Sequence, residues 1–139
     1  MVNTNVGYAL KQAQSLLHVR MEEALKPLGL TVSQYSCLFR LRLEPGVSAA
    51  GLARATFVTR QSMNALLQQL IDRGLVARPT QAESGRALPA LLTDAGAETL
   101  DAAQTLVDGV QERMLRGFST AETAALEQAL AACIRSLEE

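Results

Sequence analysis

The sequence predicts a mainly α fold in a single domain, and three observations predict it. Aromatic residues make up 4% of the chain with no Trp, and Ala and Leu dominate its second half, a composition that favours helices over sheet. Apolar residues recur at helical spacing through most of the sequence. Residues that start and stop helices punctuate the runs: Thr31 with Gln34 and Ser119 with Glu122 read as capping boxes, while Pro27 with Gly29, Pro45 with Gly46, Gly74 and Gly117 read as stops. A length of 139 residues fits one domain, and 48% hydrophobic content is enough for a core.

The first helix is expected over Val6 to Leu25, where Leu10, Leu17, Met21 and Leu25 fall on one side. Thr31 opens a second helix whose apolar pattern runs through Tyr35, Leu38, Phe39 and Leu41 to Leu43. Ser48 caps a short third helix through Ala55, and after the turn at Thr56, Phe57 and Val58 a fourth runs from about Thr59 to Arg73. Two short extended runs follow, Leu75 to Pro79 and Ala87 to Leu92, separated by the polar stretch Thr80 to Arg86. This is a hairpin with a projecting loop, and because Pro79 and Pro89 lack the N–H of a central strand, both runs are ladder edges or hairpin ends. Thr93 caps a long helix to about Arg116, and a last helix runs from Ser119 to Leu137 with Leu126, Leu130, Cys133, Ile134 and Leu137 on its apolar face. Residues 31–93 can pack as a small core, so the apolar faces of 1–28 and 94–139 lack intramolecular cover, and a second copy of the chain is the simplest cover.

Charge and chemistry narrow the function. The net charge is −1, but residues 1–53 carry +2, residues 54–93 carry +3 and residues 94–139 carry −6. A basic middle with an acidic tail is the pattern of one surface that meets phosphates while the remainder keeps the chain soluble. One His, no cysteine cluster, no Gly-rich phosphate loop and no acid pair leave little material for an enzyme, and no metal or cofactor is expected. Cys37 and Cys133 stand far apart and read as reduced, buried thiols. With no signal-like start and no long apolar run, a cytoplasmic location off the membrane is expected.

The fourth helix carries the most specific signal. Met63, Leu66, Leu67 and Leu70 make one apolar stripe, and the opposite face holds Gln61, Asn64, Ala65 and Gln68 with no carboxylate before Asp72. Amides and one small residue suit hydrogen bonding to base edges in a major groove.

This order of elements resembles the MarR family of winged helix-turn-helix transcription regulators. Leu30, Thr31 and Gln34 match its LTxxQ opening of the second helix, and Val47, Ser48, Leu52 and Ala53 match the "vs..LA" of its third. Leu70, Arg73, Gly74, Leu75, Val76 and Arg78 match "L..rGLV.R", Thr59 to Asn64 is similar to a TPQSMN variant, and Gly85-Arg86-Ala87 with Leu92, Thr93 and Gly96 matches "GRA....LT..G". The matches span nearly the whole chain. Three departures stand out: Ser84 with Glu83 replaces the Asp that precedes the wing arginine, Arg60 replaces Pro, and Ala65 replaces a frequent mid-helix arginine.

The resemblance implies a homodimeric repressor that binds palindromic double-stranded DNA, with recognition helices one helical turn apart and Arg86 reaching into a minor groove. The DNA-contacting residues it implies are Ser48, Thr59, Arg60, Gln61, Ser62, Asn64, Ala65, Gln68, Arg78 and Arg86. It also implies a small aromatic effector held between the dimerisation helices and the DNA-binding unit, for which His18 and Tyr35 are the candidate hydrogen-bonding residues. No cation near Cys37 in sequence lowers its pKa, so that thiol reads as core rather than as a redox switch. The competing reading is a winged-helix protein-interaction module without sequence-specific DNA binding, which the thin positive charge and acidic tail favour.

Overall fold

The computed structural model describes residues 5–56, 58–78 and 90–139. Phe57 and the stretch from Pro79 to Pro89, which holds the expected loop Thr80 to Arg86 and the first part of the run Ala87 to Leu92, lie outside the described residues. Six α-helices and one two-stranded antiparallel sheet are present among the described residues, in the order α1 (Val6–Leu25), α2 (Val32–Leu43), α3 (Ala49–Thr56), α4 (Arg60–Asp72), β1 (Val76–Ala77), β2 (Leu91–Leu92), α5 (Asp94–Met114) and α6 (Thr120–Glu138).

Local chemistry sets most of these boundaries. Asn5 Oδ1 accepts the Tyr8 N–H at 2.8 Å and starts α1. After Leu25 the chain makes one 3₁₀ turn over Lys26–Leu28, with Pro27 inside it, and Gly29 closes the turn in the left-handed region at φ +66°. Thr31 then caps α2 with both halves of its box in place: the Gln34 N–H donates to Thr31 Oγ1 at 3.0 Å, and Thr31 N–H donates to Gln34 Oε1 at 3.1 Å. Glu22 of α1 accepts the Val32 N–H at 3.0 Å, which satisfies another orphan donor of α2 and fixes the angle between the two helices. Ser119 and Glu122 form a second complete box at the start of α6.

The core is built where α2, α3 and α4 converge and continues onto α5. Leu38 and Leu41 of α2, Leu52 of α3 and Met63, Leu67 and Leu70 of α4 are fully buried, with Leu25 from the end of α1 and Leu100 and Val107 from α5. Each such side chain contributes about 1.5–3 kcal/mol by leaving water, so the stripe along α4 locks that helix against its neighbours and leaves its other face free. Cys37 belongs to this core, with its Sγ 3.9 Å from Met63 Sδ.

Around the small sheet the chain is tightly tied. Val76 pairs with Leu92 and Ala77 with Leu91. Thr93 Oγ1 donates to Gly74 O at 2.6 Å and accepts the Gly96 N–H at 3.0 Å, so one side chain both caps α5 and holds the turn that ends α4. Gly96 is buried there, and the position needs glycine because a Cβ would stand 2.0 Å from Leu75 O.

Toward the other end, α1 packs along α5. Among the described residues α6 barely touches the rest of the chain and buries no residue. Its apolar face is where the periodicity places it, but Leu130, Ile134 and Leu137 are exposed, Leu137 to 84%. Cys133 corrects the sequence reading: it is exposed, because it rides on a helix that nothing among the described residues covers. Val6, Tyr8, Leu10, Leu16 and Val19 of α1, with Met114 at the end of α5 and Phe118 after it, extend the uncovered apolar surface.

Candidate nucleic-acid interface

α4 begins at a conventional cap that also orders the surface. Thr59 Oγ1 accepts the Ser62 N–H at 3.0 Å and donates to Ser62 Oγ at 2.9 Å, so both hydroxyl residues are held at the helix start beside exposed Arg60. Beyond them Gln61, Asn64, Ala65 and Gln68 are all exposed on the face opposite the buried stripe of Met63, Leu67 and Leu70. The structure therefore brings together Thr59, Arg60, Gln61, Ser62, Asn64, Ala65 and Gln68 on one helix. The Gln68 amide donates to Asp72 Oδ1 at 2.9 Å, which turns the last carboxylate of the helix toward a neighbouring side chain and leaves Gln68 Oε1 as an acceptor.

Three anchors hold α4 in place. Its buried stripe is the first. The second is Arg73, whose guanidinium donates to Gly29 O at 2.9 Å and Leu28 O at 3.1 Å, tying the end of α4 to the turn between α1 and α2. The third is Gln34, 8% exposed, whose Nε2 donates to Gln69 Oε1 at 3.2 Å. Arg73 is thus engaged with carbonyls, whereas Arg54 at the end of α3 and Arg60 stand exposed.

The remaining candidates divide by position. Ser48 is half-buried and caps α3, its Oγ accepting the Gly51 N–H at 3.0 Å. Arg78 is half-buried just after β1. Arg86 lies outside the described residues. Of the effector candidates, Tyr35 is buried in α2, stacks on Phe39 with ring centroids 6.1 Å apart, and donates its hydroxyl to Gln104 Oε1 of α5 at 2.9 Å. Burial, with Asp108 adding to it, pushes its phenol above the usual pKa. His18 is exposed on α1 with Nε2 3.5 Å from Glu22 Oε1. Burial also pushes the Cys37 thiol up to about 12, so it stays protonated at neutral pH and is a poor nucleophile.

Gln69 is missing from the residues singled out by sequence. It is exposed, seven residues after Ser62 and four after Ala65, so it lies on the same flank of α4. Together with Ser33, Val58, Ser62, Ala65 and Leu66 it lines a groove of about 280 Å³ between α2 and α4. That helical spacing is a signal the sequence does carry.

A helix pinned on three sides, with an uncharged amide face turned outward and a short sheet behind it, has the form of a helix that enters a groove of DNA. Comparisons with known proteins agree. A family model described as the MarR family matches residues 28–87. The HTH-type transcriptional repressor Rv2887 of Mycobacterium tuberculosis is 43% identical over 110 residues, 79% of each chain. Among solved structures, that MarR family protein in complex with DNA aligns with a TM-score of 0.80 at 34% identity, covering 94% of this chain and 98% of the other. Its complex with salicylic acid aligns with a TM-score of 0.77 at 37% identity, covering 94% and 97%.

Proposed function

Because this chain belongs to the MarR family, we propose that it is a homodimeric transcription repressor which binds palindromic double-stranded DNA and is released by a small aromatic acid. The observation that carries this reading is the outward face of α4: Gln61, Asn64, Ala65 and Gln68, exposed, uncharged and held by a buried stripe. Amides of this kind pair with adenine edges in the major groove. Ser48, Thr59, Arg60, Ser62 and Arg78 contact the sugar-phosphate backbone and set the register, and Arg86 enters the adjacent minor groove.

The dimer follows from the uncovered surface. The apolar face of α6, that of α1, and the groove between α1 and α5 lined by Leu16, Leu17, Arg20, Val110, Arg113 and Met114 are covered by the same elements of a second copy. Reading two half-sites one turn of DNA apart requires the two α4 helices of the dimer to lie about 34 Å apart. The effector reading rests on the relative crystallised with salicylic acid and on Tyr35, whose hydrogen bond to Gln104 joins the DNA-binding unit to α5; an aromatic acid that competes for Tyr35 or His18 acts at that junction. No catalytic role is proposed. Among the described residues no helix is long and apolar enough to cross a membrane, and we place the protein in the cytoplasm, where its DNA is.

Footprinting on the DNA upstream of its own gene tests the reading. A symmetric protected region about two turns long, lost on adding salicylate, is the expected result. Absence of any protected region supports the interaction-module reading that the net charge of −1 favours.

A further inference from the structure

We propose that the groove between α2 and α4 reads a thymine in each half-site, with Gln69 as a specificity-determining residue; this rests on the DNA-binding function proposed above. The cap of α2 fixes the first amide. Gln34 Oε1 accepts a backbone N–H, that of Thr31, so the other end of its amide must be the nitrogen. That nitrogen donates to Gln69 at 3.2 Å, so the Gln69 atom facing inward must be its oxygen. The Gln69 Nε2 therefore points away from Gln34, and among the described residues no acceptor takes its protons. A buried capping residue on one helix has fixed which end of an exposed amide the recognition helix presents.

Beside this donor lies an apolar floor. Val58, Ala65 and Leu66 line the groove with Ser33 and Ser62 at its rim, and no charged side chain is among the lining residues. Ala65 keeps the groove open, since a long side chain at that position would lie across it. In the major groove a thymine presents an acceptor, O4, next to a methyl group. Cytosine presents an amino donor that would oppose Gln69 Nε2, adenine presents a donor and an acceptor, and guanine presents two acceptors and no methyl. An amide donor beside an uncharged apolar floor matches the thymine edge alone. A phosphate would leave the apolar floor unused and find no cation in the groove.

The experiment replaces thymine by uracil, one position at a time, in a duplex carrying the footprinted operator, and measures affinity for the full-length protein and for Gln69→Leu. Loss of one buried methyl corresponds to about fourfold weaker binding, expected at one position per half-site. Replacing that thymine with cytosine weakens the parent further, by about tenfold or more, and Gln69→Leu, which gives up the bond from Gln34 Nε2 but leaves the buried stripe of α4 in place, removes most of this thymine-over-cytosine preference while keeping the uracil effect. Uracil tolerated at every position, with methylphosphonate substitution alone weakening binding through the groove, would overturn the assignment in favour of a backbone contact. Tight operator binding without the uracil effect overturns this assignment only; absence of operator binding overturns it together with the function on which it rests.

Discussion

Replacing Gly96 with alanine adds one methyl group where the start of α5 crosses the backbone that leaves α4. The new Cβ would stand 2.0 Å from Leu75 O, 2.9 Å from Leu75 C and 3.3 Å from its Cα. All three are backbone atoms, so no side chain can swing aside, and the helix start must move by roughly 1 Å or more to restore ordinary contact. That movement strains the bonds from Thr93 Oγ1 to Gly74 O and from Thr93 N to Leu75 O, at 2.6 and 3.1 Å. Overpacking of this kind costs about 1–3 kcal/mol and a weakened hydrogen bond about 1 kcal/mol, against a gain of about 0.5–1 kcal/mol for alanine over glycine in a helix. The net expectation is a loss of about 2 kcal/mol, or roughly 8 °C in Tm for a chain of this size. Gly109 lies on the same helix with nothing within 4 Å of its Cβ position, so Gly109→Ala gains about 0.5–1 kcal/mol and serves as the opposite-signed control. Urea and thermal unfolding at one fixed protein concentration measure both, since a dimer's Tm depends on concentration. Gly96→Ala as stable as the parent would refute the close-approach argument.

With its thiol pushed up to about 12, native Cys37 keeps its proton at pH values where the unfolded thiol, at 9.0, has lost it. Stability therefore falls as pH rises from about 9 toward 12, and Cys37→Ala flattens that slope, leaving the part that Tyr35 contributes. At pH 8 Cys37 resists alkylation in the folded protein, and mass spectrometry of the modified residues checks this. Ile134→Glu on α6 replaces an apolar side chain that is 56% exposed in one chain; light scattering is expected to give monomers with unchanged helical content, and an intact dimer would remove α6 from the interface. Arg86→Ala is expected to weaken operator binding by about 1–3 kcal/mol and to lower its salt dependence, and unchanged affinity would take the loop out of the interface.

Much of the fold was legible because its boundaries are set by local chemistry. Thr31 with Gln34, Thr59, Thr93 and Ser119 with Glu122 each satisfy backbone N–H groups three residues away, and that spacing is visible in a string of letters. The exposed face of α4 was legible for a similar reason, since a 3.6-residue period separates Met63, Leu67 and Leu70 from Gln61, Asn64 and Gln68. Features that depend on distant partners were not legible. Periodicity puts Cys133 on an apolar face without saying whether anything covers that face, and among the described residues of one chain nothing does. The contact of Gln34 with Gln69 joins residues 35 apart, and that of Arg73 with Gly29 joins residues 44 apart. The first of these pairings orients Gln69, so the exposed amides of Gln61, Asn64 and Gln68 could be read from the sequence, but neither Gln69 nor the direction of its donor. Gly96 matched a motif, yet its reason, the carbonyl of Leu75, exists only in three dimensions.

The central claim is that this chain recognises a DNA sequence, beyond attraction of arginines to phosphates. Fluorescence anisotropy with a labelled duplex from its own upstream region, titrated at two salt concentrations against excess random duplex, tests it most directly. The account predicts saturable binding at one dimer per duplex that survives the competitor, with affinity falling at higher salt only as the phosphate contacts require. Binding that the random duplex removes at moderate salt would contradict it.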